Sequence, residues 1–199
     1  MLELVSSQQF ESVTFRLVSY KDLGTYFPID LGLSEEESDE LKTLFAESDF
    51  PLDPDAIITG VFKPKLNLAP RRTRFSDGYI QVYYSALEID TAVSEVRYWL
   101  EKELHIGANS TTANYRILEA LFDGHVKDLR TVIEQIPFLT GDDYEACNLI
   151  AAEVIDDNSL DALLVPSARR IGGTCIPIFR RSALKAASWR GVIEVVVSH

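Results

Sequence analysis

Four side chains in this sequence have the types and places that chemistry on a phosphorylated sugar would need. Arg74 lies in the basic stretch Arg71-Arg72-Thr73-Arg74, Tyr84 follows it ten residues later in Val82-Tyr83-Tyr84, and Glu95 comes eleven residues after that. Ser167 follows the apolar run Ala162-Leu163-Leu164-Val165-Pro166. A guanidinium offers paired donors to a phosphate and keeps its charge at any relevant pH. A fixed carboxylate can stabilise the positive charge that builds at an anomeric carbon when its bond to a leaving group breaks. A tyrosine can stack on a ring or donate to it, and a serine hydroxyl at the tip of a buried strand can bond a ligand amide or hydroxyl. Each has a plainer alternative: a salt bridge from Arg74 to Asp77, sheet packing for Tyr84, and a helix-edge carboxylate near Trp99 or Lys102 for Glu95.

These residues need elements to hold them. Residues 79–85 are aromatic and β-branched and predict a strand, on which Tyr83 and Tyr84 must face opposite ways. Asp90 is placed to cap a helix running to about Leu104, with Ala92, Val93, Val96, Trp99 and Leu100 on one apolar face and Glu95 at its flank. Further strands are expected at 11–18, 114–122, 162–165, 174–179 and 192–197, with Ile57–Phe62 as another and Asp123-Gly124 as a turn. Helices are expected from Asp128 to Gln135 and from Asp142 to Val154. A capping box, Ser34-Glu35-Glu36-Glu37, opens a helix to about Ala46, which Pro51 and Pro54 would end. Strands and helices do not alternate strictly, so an α+β fold is favoured over a doubly wound sheet.

Composition narrows the function classes. With 46% hydrophobic and 25% charged residues, the 199-residue chain reads as one ordinary globular domain. Its net charge of −12 argues against a general nucleic-acid binder. The charge is uneven. Residues 30–55 carry ten acids against Lys42, while eleven of the nineteen Lys and Arg fall into two groups. These are Lys63, Lys65, Arg71, Arg72 and Arg74, and Arg169, Arg170, Arg180, Arg181, Lys185 and Arg190. Such grouping suggests a local site for a phosphorylated small molecule. No apolar run suits a membrane span, and Met1-Leu2-Glu3-Leu4-Val5 does not read as a signal peptide. The cysteines, Cys147 and Cys175, read as buried free thiols. The scattered His105, His125 and His199 and the absence of paired cysteine motifs argue against a metal site. No Gly-x-Ser-x-Gly, Walker or Gly-x-Gly-x-x-Gly pattern is present.

The Arg74, Tyr84, Glu95 and Ser167 set, over roughly residues 58–181, resembles the RES domain, the family of toxins from a class of bacterial toxin–antitoxin pairs that act on NAD+. The resemblance implies a single domain over 1–199 with an ADP-ribosyltransferase-like body, a split, twisted mixed sheet with flanking helices. It implies Glu95, Arg74 and Tyr84 as catalytic residues, and Arg74, Tyr84 and Ser167 as contacts to NAD+. It further implies a bacterial cytoplasmic protein and a small helical DNA-binding antitoxin that occludes the cleft. ADP-ribose would pass to water, phosphate or a protein side chain. Phe15-Arg16-Leu17 resembles the family's opening strand, and the acidic segment of about 30–56 would then be an insertion. The alternative is a non-catalytic protein-interaction module on the same fold.

Overall fold

A computed structural model describes residues 2–19, 53–63, 72–103, 110–141 and 144–198. The expected capping box and acidic helix of 34–46 lie outside the described residues. The elements are β1 (Ser7–Ser19), α1 (Pro54–Val61), β2 (Tyr83–Ala86), α2 (Ile89–Glu103), β3 (Ser110–Asp128), α3 (Glu145–Asp156), β4 (Ala162–Pro166), β5 (Thr174–Ile178) and β6 (Leu184–Ser198). Short 3-10 turns occur at Leu2–Leu4, Leu129–Val132, Pro137–Thr140 and Arg181–Ala183. No described helix is long and apolar enough to cross a membrane.

The fold is α+β, and its six-stranded sheet is mixed. Strand order is β1-β2-β5-β4-β3-β6, and β1 also pairs with β3 along its whole length, from Ser7 opposite Lys127 to Ser19 opposite Tyr115. The chain of pairings β1-β2-β5-β4-β3 therefore returns to β1. With one edge of β3 taken by β1, its other edge serves two strands: antiparallel β6 up to Phe122 and parallel β4 from Val126. The sheet divides at that point.

Gly124 sits at the division. A Cβ there would lie 2.7 Å from Asp161 Oδ2 and 3.1 Å from Ala183 Cβ. Asp161 Oδ2 accepts from the His125 amide at 2.8 Å. The expectation of a turn at Asp123-Gly124 is thus corrected: the strand continues, and the glycine marks a close approach within it.

The expected strand at Ile57–Phe62 is instead helix α1. Pro54 occupies the first helical turn, where its missing N–H costs nothing, and Asp53 accepts from the Asp55 amide at 3.0 Å as N-cap. Ile57, Ile58 and Val61 then fall on one buried side. Strand β2 is shorter than the 79–85 expected. Asp77 Oδ1 accepts from the amides of Tyr79 (2.9 Å) and Ile80 (3.1 Å), and Ser76 Oγ donates to the Ile80 carbonyl (2.6 Å), so the approach to β2 is a side-chain-bonded turn. Leu129–Val132 is a 3-10 turn rather than the longer helix expected to Gln135, and β6 begins at Leu184, well before Val192. Helix α2 starts at Ile89, with the Glu88 carbonyl accepting from Thr91 and Ala92, so Asp90 is in the first turn rather than the cap.

Three apolar clusters hold these elements. One fills the inside of the ring, where Ile57 and Ile58 of α1 meet Tyr83, Phe122, Leu164, Ile176 and Ile178. The second joins Cys147, Ile150 and Val154 of α3 to Leu163 and Val165 of β4, with Tyr84 and Cys175 packed against it. The third sets Ala92 and Leu100 of α2, with Val93 and Val96, on Leu17, Ala86, Ile117 and Val195. Trp99, expected on that face, is 40% exposed and meets Tyr98 edge-on at 5.4 Å.

Gly124→Ala should lower stability by about 1–3 kcal/mol, the usual range for overpacking a tight position. The measurement is the denaturant midpoint at unchanged slope. A midpoint equal to that of the parent would show that the close approach does not constrain β3.

Candidate active site

Cross-strand register puts the site residues on one face of the sheet. Ala86 of β2 lies opposite Cys175 of β5, which lies opposite Val165 of β4. Alternation along each strand adds Tyr84, two residues before Ala86, to the same side, and Ser167 follows Val165 at the same interval. Tyr83 points the other way and is completely buried inside the ring. Of the two tyrosines, only Tyr84 can reach this face.

Glu95 meets that row from above. Its Oε1 accepts a hydrogen bond from Ser167 Oγ at 2.7 Å and one from Cys175 Sγ at 3.4 Å. Ser167 Oγ also accepts from the amides of Arg169 (3.1 Å) and Arg170 (3.0 Å). Two amide donors leave the hydroxyl proton free to point at the carboxylate, so the direction of the Ser167–Glu95 bond is imposed by the turn that follows β4. Burial pushes the Cys175 thiol far up, with the Glu95 charge adding to it, so Cys175 is a protonated donor and not a nucleophile. One oxygen of Glu95 is thus held by two donors. Among the described residues its Oε2 has no hydrogen-bond partner.

The turn after β4 is laid along α2 over three helical turns. Glu88 Oε2 accepts from the Thr174 amide at 3.1 Å, and Thr91 Oγ1 accepts from Arg170 Nη1 at 3.2 Å while donating to Glu88. Arg169 stacks on Tyr98, 3.3 Å from the ring centre. The partners on the helix are therefore residues 88, 91, 95 and 98, spaced as one stripe. Gly173 allows the approach, because a Cβ there would come within 2.5 Å of Thr91 Oγ1. Gly172 beside it has φ +75°, a conformation that favours glycine.

Arg74 and Tyr84 are set by a different device. The Tyr84 hydroxyl shares a hydrogen bond with Thr73 Oγ1 (2.7 Å) and accepts from the Phe75 amide (3.0 Å). Asn148 of α3, only 7% exposed, donates from Nδ2 to the carbonyls of Thr73 (2.9 Å) and Arg74 (2.8 Å), and its Oδ1 accepts from Arg72 Nε (2.9 Å). A buried amide with three of its four bonds made is a rigid clamp. The Arg74 side chain donates through Nη1 to the Leu139 carbonyl (2.6 Å) and lies 5.6 Å above the Tyr144 ring. Asp77 is occupied by backbone amides, which hold its carboxyl below its usual range, so the suggested Arg74–Asp77 bridge is not the arrangement seen. Arg74 lies close enough for its charge to act on both Tyr84 and Cys175. All four expected side chains therefore belong to one region.

Four of the remaining basic residues are engaged elsewhere. Arg181 pairs with Asp55, Arg190 with Glu119 at 2.7 Å, Arg180 donates to the Ile155 carbonyl at 2.8 Å, and Lys185 donates to the Ser182 carbonyl at 2.6 Å. Lys65 and Arg71 lie outside the described residues. Sequence reasoning missed Asn148, Thr73 and the role of Cys175. Asn148 had a readable signal, since it interrupts the apolar pattern of Cys147, Leu149 and Ile150. Arg16 was likewise missed as a support; its Nη1 donates to the Tyr84 carbonyl at 3.3 Å. No group of three or more possible metal-binding side chains occurs among the described residues.

Comparison with protein families gives a match to the RES domain over residues 54–195. The chain belongs to the RES domain family. A search of curated proteins found no match. RES domain proteins are typically toxins paired with antitoxins, and the family is associated with NAD. The matched region contains Arg74, Tyr84, Glu95 and Ser167 and all of the sheet except β1 and the last residues of β6. Strand β1, outside the match, nonetheless completes the ring through β3.

Burial raises the Tyr84 hydroxyl to about 12 from its ordinary 10.0. A raised folded-state value means that the folded protein keeps its proton longer than the unfolded chain. The stability associated with Tyr84 should be complete below pH 10 and decline as pH rises toward 12. Unfolding curves of the parent should therefore weaken more steeply across that interval than those of Tyr84→Phe. Parallel pH dependences would show that Tyr84 titrates normally.

Proposed function

We propose that this RES domain protein cleaves NAD+ at the nicotinamide–ribose bond and acts as the toxin of a bacterial toxin–antitoxin pair. The observation that carries the reading is the Glu95 carboxylate, held by Ser167 and Cys175 through one oxygen, with the other lacking a hydrogen-bond partner among the described residues. As the bond between the ribose anomeric carbon and the nicotinamide nitrogen breaks, its electron pair leaves with the nicotinamide, which departs neutral. The ribose is left as an oxocarbenium-like centre. A preorganised carboxylate beside it lowers the barrier because its charge needs no reorientation as the positive charge forms. No second carboxylate is required, since the leaving group needs no proton. The acceptor then adds its oxygen or nitrogen to the anomeric carbon and loses a proton.

Arg74 would bind the pyrophosphate. Its Nη1 contact to Leu139 fixes the direction of the guanidinium and leaves further N–H donors for phosphate oxygens. Tyr84, its hydroxyl already committed to Thr73 and Phe75, would offer its ring to the nicotinamide. Ser167 is bonded on all sides within the protein, which supports a role through Glu95 beside the contact to NAD+ expected of it. The proposal extends to an ADP-ribosyltransferase-like architecture, a bacterial cytoplasmic location and an antitoxin that covers this face. The acceptor would be water, phosphate or a protein side chain, and the acidic segment of about 30–56 an insertion.

The test is release of free nicotinamide from NAD+ by the purified chain. Glu95→Gln should lower the rate by about a hundredfold or more, with folding checked by circular dichroism. Induced expression should arrest bacterial growth with the parent and not with Glu95→Gln. Turnover of folded Glu95→Gln close to that of the parent would remove the assignment, and no nicotinamide from either would favour the non-catalytic reading.

A further inference from the structure

Helix α3 carries one residue that its packing does not explain. Its buried side is otherwise small or apolar, from Cys147 through Ile150 and Ala151 to Val154, yet Asn148 stands among them and is 7% exposed. A carboxamide taken out of water costs free energy unless its donors and acceptor are met. Asn148 meets them outside its own helix, in a segment 74 to 76 residues earlier. The partners leave the amide one orientation: the Thr73 and Arg74 carbonyls need the Nδ2 side, and the Arg72 Nε–H needs Oδ1. Among the described residues, the Arg74 carbonyl accepts from Asn148 alone. The far end of Arg74 belongs to the same part of the fold. Its Nη1 donates to the Leu139 carbonyl at 2.6 Å, and Leu139 packs with Cys147 and Ile150 in the second apolar cluster. Backbone and guanidinium of one arginine are thus pinned by α3 and by the turn packed on it. Glu95 is pinned elsewhere, by donors at the end of β4 and on β5.

We propose that Asn148 is a positioning residue that sets the affinity for NAD+ through Arg74, while the rate of bond cleavage is left to Glu95. The inference rests on the NAD+ reading given above. An arginine gains most from a pyrophosphate when its guanidinium is already aimed, because little rotamer freedom is then lost on binding. Asn148 supplies that aim from the backbone end, as Leu139 does from the guanidinium end. Asn148→Asp keeps the shape of the side chain but turns an oxygen, in place of two N–H donors, toward the Thr73 and Arg74 carbonyls. Those carbonyls are then repelled from α3, and Arg74 keeps only its outer pin. A grip on the pyrophosphate is the same in the ground state and the transition state, so its loss appears in KM and not in kcat. General damage to α3 has a different signature. It would reach Tyr84 and Cys175, which pack against the same apolar cluster, and through Cys175 it would lower kcat.

The test is steady-state nicotinamide release by the full chain over a range of NAD+ concentrations. Asn148→Asp should raise KM about tenfold or more, the usual consequence of leaving buried carbonyls unpaired, with kcat close to that of the parent. Asn148→Ala removes the same donors without adding a charge, and should move KM in the same direction. On an Arg74→Ala background neither substitution should raise KM much further, because the residue that Asn148 positions is gone. Unchanged KM in both variants, a fall in kcat at constant KM, or increases in KM that multiply in full with that of Arg74→Ala would each overturn the proposal. Those outcomes leave release by the parent, and with it the NAD+ reading, intact. Absence of release from the parent would overturn both.

Discussion

The short hydrogen bond from Ser167 to Glu95 is the contact on which the rest of this structure converges. It joins the end of the central strand β4 to the flank of α2, two elements 72 residues apart in sequence. Neither partner could be placed alone. Glu95 is on the helix at the edge of an apolar face whose Ala92, Val96 and Leu100 fix its rotation. Ser167 is oriented by the amides of Arg169 and Arg170, which exist as free donors only because the chain turns there. That turn is drawn onto the helix by Glu88, Thr91 and Tyr98, and Gly173 makes the distance attainable. A carboxylate fixed in this way costs little reorganisation during a reaction that builds positive charge beside it.

The second anchor is independent of the first. Asn148 belongs to α3 and grips the backbone carbonyls on both sides of Arg74, while the Tyr84 hydroxyl holds the amide of the next residue. The two anchors meet in the sheet, where Ala86, Cys175 and Val165 lie in one row. The candidate site is thus a product of β2, β5 and β4 lying side by side. Closing the ring through β1 and β3 keeps those three strands in place, and the apolar filling inside the ring, from Ile58 to Phe122, supports them from behind.

Much of this was legible in the sequence, and the failures have physical causes. The helix bearing Glu95 and the strand bearing Tyr84 are marked by period and residue type, and the two tyrosines could be assigned to opposite faces by alternation alone. Residues 57–62 were misread as a strand because Pro54 was weighed only as the end of the preceding segment, whereas a proline in the first turn also opens a helix. Gly124 was misread as a turn, because the reason for a glycine there is Asp161, which is distant in sequence. The partnership of Cys175 with Glu95 carries no local signature at all: it follows from the pairing of β2, β5 and β4. The stripe 88, 91, 95 and 98 was not singled out in the sequence, because only the turn packed against it gives that spacing a meaning.

The central claim is that Ser167 serves the reaction through Glu95, and a double-substitution cycle on nicotinamide release tests it directly. Ser167→Ala alone should slow release strongly, as Glu95→Gln does. Once Glu95 is replaced, removing Ser167 as well should cost almost nothing more, the non-additivity of groups acting as a unit. Losses that multiply in full would contradict the account and make Ser167 an independent contact to the substrate.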